Sequence, residues 1–244
     1  MEFFTFQIAG LSIDVECLFP ETKEYCKAYL CEGQGVIRAS VNREDIKFER
    51  EKSAREAAFE GVPEMDWSDA YLEALALYRK IAEQLPRFGT ILFHGSVIAV
   101  DDEAYLFTAK SGTGKSTHTR LWRKHFGDRA VMINDDKPLL HVSEKCVTAF
   151  GTPWDGKHHL STNRSAPLKG ICVLERDTVN HIEQVDPYAV YPLLVQQTYR
   201  PADPEALGLT LQLLDRMMQT VRVYRLGCNM DPEAAVVAYR GMQK

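Results

Sequence analysis

The stretch that most constrains this chain is Ala109-Lys110-Ser111-Gly112-Thr113-Gly114-Lys115-Ser116-Thr117. It follows an apolar run, Ala104-Tyr105-Leu106-Phe107-Thr108, that reads as a buried strand, and it precedes a helix expected from Ser116 to about Phe126. A strand, a glycine-containing loop and a Lys-Ser pair opening a helix form the context of the phosphate-binding pattern G-x-x-x-x-G-K-[ST]. Backbone N–H groups of such a loop, together with the positive end of the helix, favour phosphate oxygens. In that pattern Ser111, Gly112, Thr113, Gly114, Lys115, Ser116 and Thr117 line a nucleotide's phosphates. Lys115 reaches the β- and γ-phosphates, and the Ser116 hydroxyl sits on Mg²⁺. Ala109 replaces the first glycine, which a methyl group permits if φ is negative there; Gly112 and Gly114 keep the close approach of backbone to phosphate.

Composition narrows the partners. The 244 residues are 45% hydrophobic and 26% charged, the balance of a soluble globular protein. A net charge of −5 argues against a general nucleic-acid or anionic-membrane surface and leaves room for a local basic pocket. No run approaches the roughly 18 apolar residues that span a bilayer. The residues after Met1 lack a basic, then apolar, leader pattern, so a cytoplasmic protein is expected. Six scattered cysteines contain no C-x-x-C pair, which points to free thiols in a reducing compartment and not to a zinc site.

Along the chain, residues 3–8 and 12–17 read as two strands around Ala9-Gly10, with a third strand near residues 35–41. Asn42 caps a charged surface helix, and Ser68 opens a helix whose stripe of Tyr71, Leu75, Tyr78, Ala82 and Leu85 stops at Pro86. Strands are expected at 90–93, 96–100, 104–108, 129–134, 138–142, 146–150, 168–174 and 221–226, with 151–166 a long polar loop. Asp186-Pro187, Asp203-Pro204 and Asp231-Pro232 each place a capping residue before a first-turn proline. A soft boundary near Pro86 separates a small α+β part, 1–86, from the larger 87–244.

Phosphoryl transfer asks for carboxylates beside the phosphate grip. Asp135 and Asp136 end an apolar strand about 20 residues after Lys115, where a metal-associated carboxylate is expected. A pair allows one to serve the metal while the other polarises an acceptor O–H. His94 is a further candidate, and Lys157, Arg164 and Arg200 are the cations best placed to neutralise a transferring phosphate. Adjacent His158 and His159 diverge on extended backbone, and Trp154 reads as a packing anchor for its loop.

Phe93-His94-Gly95, the 109–117 loop and Asn134-Asp135-Asp136-Lys137 together resemble the HPr kinase/phosphorylase and phosphoenolpyruvate carboxykinase superfamily, in that family's order and spacing. Within it the chain is most similar to HPr kinase-related proteins found beside bacterial peptide-modification genes, some of which phosphorylate a serine on a peptide. The resemblance covers residues 90–200 and lacks a recognisable HPr kinase signature loop after the catalytic region. It implies an α/β fold of the P-loop kinase type, a mixed β-sheet flanked by helices, using ATP and Mg²⁺. It also implies Asp135 as base and Asp136 beside the metal, with the two roles exchangeable, and His94 in the active site; among the three cations, Arg164 is the one expected to be catalytic. The acceptor would be a hydroxyl of a peptide, protein or small molecule, with a homo-oligomer allowed. A carboxykinase-like metabolite enzyme and a nucleotide-dependent switch or binding protein are the alternatives. If residues 109–117 hold a nucleotide, Lys115→Ala removes the phosphate grip, and both nucleotide affinity by calorimetry and turnover collapse.

Overall fold

The computed structural model describes residues 1–110, 112–156 and 158–243. The chain divides into two compact units, Met1–Gln84 and Leu85–Lys244.

In the first unit, strands β1 (Glu2–Ile8) and β2 (Leu11–Cys17) form an antiparallel hairpin. The hairpin turns on Ala9 and Gly10, both at positive φ. A short helix, α1 (Pro20–Tyr25), follows, and β3 (Ile37–Ser40) then pairs parallel to β2. Periodicity missed α1 because six residues are too few to show a stripe. Asn42 caps α2 (Arg43–Glu60) with a reciprocal capping box to Asp45, and Ser68 caps α3 (Asp69–Ala82). Helix α3 buries Leu72, Leu77 and Ile81, and it also buries Glu73, whose carboxylate accepts from Leu18 N at 2.6 Å and Phe19 N at 3.1 Å. The predicted helix ran on to Pro86; the α-helix ends at Ala82, and Pro86 lies in a separate 3-10 turn.

The second unit is one mixed sheet covered on both faces. Its elements are β4 (Thr90–Leu92), β5 (Ser96–Val100), β6 (Glu103–Thr108), α4 (Lys115–Phe126), β7 (Ala130–Asn134), β8 (Leu139–Val142), β9 (Val147–Phe150) and β10 (Ser165–Arg176). After them come β11 (His181–Val185), α5 (Tyr191–Gln197), α6 (Pro204–Thr220), β12 (Arg222–Cys228) and α7 (Glu233–Met242). The strand path is β4-β8-β9-β10-β6-β5-β7, with β12 paired to β10 and β11 to β12. β10 begins inside the predicted loop, at Ser165, and its two ends do different work. Ser165–Pro167 pairs antiparallel with β9, while residues from Leu168 onward run parallel to β6 and β12.

Side-chain alternation decides what covers the sheet. Val97, Leu106, Ile171, Val173 and Val223 point to the face with Leu194, Leu214 and Met217 of α5 and α6. Their neighbours Ile98, Tyr105, Phe107, Cys172, Leu174 and Leu226 point to the face with Trp122 of α4 and Ala234 and Ala238 of α7. Both sets are buried, so β5 and β6 read as continuous apolar runs rather than alternating ones. Asp203 caps α6 as expected, but Asp186 caps only a 3-10 turn, and α7 starts at Glu233 without a side-chain cap from Asp231. Among the described residues no helix is long and apolar enough to cross a membrane.

β5 is antiparallel to both β6 and β7, and β10 and β12 are parallel to β6. The start of β5 and the carboxyl ends of β6, β7, β10 and β12 therefore share one edge of the sheet. A loop from β9 to β10 is pinned there at a narrow neck: Gly151 N donates to Arg164 O at 2.9 Å and Thr162 N to Ile133 O at 3.3 Å. A Cβ on Gly151 would stand 1.8 Å from Thr162 O and 2.7 Å from Ile133 O, so only glycine closes the neck. Gly151→Ala is expected to cost about 1–3 kcal/mol or more by overpacking, read as a lower urea midpoint.

Candidate functional site

β6 ends in the glycine-containing loop, and α4 begins at Lys115. Ala109 is buried and is not at positive φ, which meets the condition the sequence set for its methyl group. Gly112 and Gly114 lie at φ +74° and +121°, conformations that favour glycine. A Cβ at Gly112 would meet nothing within 4 Å, so backbone conformation, not space, selects glycine there. No side chain caps α4, no acidic residue lies in its first turn, and Arg123, Lys124 and His125 sit in its last. The positive end of its dipole thus faces the loop with no acidic residue of the helix itself beside it.

At the neighbouring edge, β7 ends in Asn134 and delivers Asp135, Asp136 and Lys137. The Asn134 carboxamide organises this turn. Its Oδ1 accepts from Asp136 N at 2.9 Å and Lys137 N at 2.6 Å. Its Nδ2 donates to Thr152 Oγ1 at 3.0 Å and Trp154 O at 3.2 Å, tying in the β9–β10 loop. Trp154 is buried beneath that loop, and Gly156 passes close enough that a Cβ would lie 3.4 Å from Asp135 Oδ2. A register shift in β5 between Val97 and Ile98 lies beside this turn.

Asp135 is buried. Ser96 Oγ, at the start of β5, donates to its Oδ1 at 2.9 Å, and the nearby Ser116 hydroxyl also favours its charged form. Burial raises its pKa above the usual carboxylate value, against the pull of both serines. His158 adds a favourable electrostatic contribution, while His159 turns away to Asp155. Asp136 behaves oppositely. Burial pushes it up, yet the His94 hydrogen bond and the Lys137 ammonium outweigh that and hold it well below the carboxylate range. The His94 Nε2–Asp136 Oδ1 distance is 3.2 Å, and Lys137 Nζ lies 2.5 Å from Oδ2. Lys115 completes the group: desolvation lowers its pKa, while Asp136 and Asp135 act to raise it.

His94 is placed by backbone on three sides. Its N–H donates to Gln197 O at 2.7 Å, its carbonyl accepts from Thr108 Oγ1, and Gly95 N donates to Asp136 O at 3.0 Å. Gly95 is tightly enclosed, because a Cβ would meet Leu106 Cδ1 at 2.8 Å and Phe107 O at 3.0 Å and require both to shift.

The structure therefore brings Lys115, Ser116, Asp135, Asp136 and His94 together. Arg164 is exposed, and among the described residues its side chain bonds to none of these. Arg200 donates to Val195 O and Gln196 O at the end of α5. Ser111 and Lys157, also singled out by the sequence, lie outside the described residues. Two contributors were missed, Ser96, a polar residue opening an otherwise apolar strand, and Arg176, while Asn134 was read as part of the motif but not as the organiser of its turn. Arg176 closes β10 and donates to Gly112 O at 2.6 Å, bracing the loop.

No family model and no curated protein sequence matches the chain. Among solved structures, the fold is similar to the HPr(Ser) kinase/phosphatase of Coxiella burnetii with a TM-score of 0.33 and 8% identity, covering 61% of this chain and 94% of that one.

Removing the Asn134 carboxamide strands two backbone donors and frees the loop. Asn134→Ala is expected to cost about 2–3 kcal/mol by denaturant unfolding, with a disproportionate loss of any activity at the Asp135–Asp136 turn.

Proposed function

We propose that this protein is an ATP-dependent phosphotransferase that moves the γ-phosphoryl group to a hydroxyl, most plainly a serine hydroxyl of a peptide, protein or small molecule. The observation that carries this reading is the junction of the glycine loop with the acidic turn. The Ser116 hydroxyl at the helix start is close enough to Asp135 to favour its charged form, and Lys115 is in electrostatic reach of both aspartates. A phosphate grip and ionisable carboxylates on one sheet edge are what in-line transfer requires.

The donors present also suit Mg²⁺. Ser116 and Asp135 offer hard oxygen ligands side by side. Among the described residues no group of three or more His, Cys, Asp or Glu could hold a metal by itself. Mg²⁺ instead takes one or two carboxylates and completes its shell with substrate phosphates and water. When bound, it would neutralise charge on the phosphate oxygens.

Of the two exchangeable carboxylate roles, the contacts favour Asp135 beside the metal and Asp136 as the base. Asp136 is held ionised by Lys137 and oriented by His94. It would take the proton of the acceptor O–H as the acceptor oxygen bonds to the γ-phosphorus. The bond from that phosphorus to the β,γ-bridging oxygen breaks, and ADP departs. Lys115 would meet the charge on the transferring group.

The test is γ-phosphate transfer to cell extract, with mass spectrometry of the labelled product. Asp136→Asn should lower transfer by about 10²- to 10⁴-fold while nucleotide affinity stays within a few-fold. Nucleotide hydrolysis with no labelled acceptor, unaffected by Asp136→Asn, would replace this reading with a switch protein.

A further inference from the structure

A cleft of about 530 Å³ opens on the side of the loop away from the acidic turn. Gly112, Thr113 and Gly114 form one end of it. From there it runs along α4, past Thr117, His118 and Leu121, to the carboxyl ends of β10 and β12, where Leu174, Cys228 and Met230 lie. The loop therefore has two unlike flanks: carboxylates and His94 on one, a partly apolar trough on the other. A nucleotide whose terminal phosphate meets the carboxylates must send its sugar and base the other way.

Resting on the phosphotransferase reading above, we infer that this trough is the nucleoside subsite, and that it holds purines by shape and apolar contact with little discrimination between adenine and guanine. The volume is within the range of small-molecule sites. Discrimination between bases needs free hydrogen-bonding groups aimed at their edges. Here the polar side chains are largely committed elsewhere. Thr113 Oγ1 donates to Lys110 O at 2.8 Å, and the Arg176 guanidinium donates to Gly112 O. Asp177 Oδ1 accepts from the backbone N–H groups of Thr178 and Val179. Asn229 uses Nδ2 on Thr178 O and Asp231 Oδ2, and Oδ1 on Asp231 N. His118 Nε2 accepts from Trp122 Nε1 at 2.9 Å, and burial lowers its pKa to about 4, so the ring is an uncharged wall whose buried Nδ1 lacks a partner among the described residues. Leu121, Leu174 and the exposed Met230 remain to cover a ring face.

The experiment is photolabelling with 8-azido-ATP and 8-azido-GTP, mapped by mass spectrometry, alongside calorimetry with ATP, GTP and tripolyphosphate. Label in residues 117–121 or 226–231, from both nucleotides, with ATP and GTP affinities within about tenfold, the size of one net hydrogen bond, is the expected result. Met230→Ala, a surface change, should weaken ATP and GTP equally by a few-fold and leave tripolyphosphate binding unchanged. Label confined to the 152–164 loop, or a preference for one purine well beyond tenfold, overturns the subsite while leaving the phosphate grip standing. Failure of tripolyphosphate to bind, or to compete with labelling, sinks the phosphate grip itself.

Discussion

The site depends on one pairing constraint. β5 lies between β6 and β7 and runs against both, so two strands that end and one that begins meet at a single edge. The end of β6 supplies the loop and Lys115, the end of β7 supplies Asp135 and Asp136, and the start of β5 supplies Ser96 with His94 just before it. Ser96 bonds Asp135 and the Ser116 hydroxyl lies near it, so the three segments converge on this buried carboxylate.

Electrostatics at this edge are balanced rather than neutral. Burial works against charge on Lys115, Asp135 and Asp136 alike. Asp136 escapes because His94 and Lys137 are in direct contact with it; Asp135 has two hydroxyls and only a more distant His158. Neighbouring carboxylates thus differ in readiness to hold a proton, the kind of division that separates roles in acid–base chemistry. The chain's net charge of −5 gives no hint of this, because the field is set by four or five side chains at one strand edge.

The loop, its flanking strand and helix, and the strand ending at Asn134 were legible because each is a local pattern: an apolar run, then turn chemistry, then a cap. The β12 strand and the Asp203-Pro204 start of α6 were legible for the same reason. What sequence did not give was set by distant partners. Ser165–Pro167 is strand only because β9 lies beside it, and β11, with mostly exposed residues, exists by pairing with β12. Asn134 was visible as part of a motif, but its carboxamide acts on Thr152 and Trp154 through the folded loop. Arg176 is a plain charge at a strand end until the loop's carbonyls are seen beside it.

The neck at Gly151 separates the path of the loop from the path of the sheet. Between that glycine and Thr162 the polypeptide leaves the sheet and returns through fixed backbone contacts to Ile133 and Arg164. Whatever happens in the bight enters and leaves by the same gate. Substitutions at bight residues that touch neither Asn134 nor Asp135 would then leave the strand ends, and the two aspartates on them, where they stand.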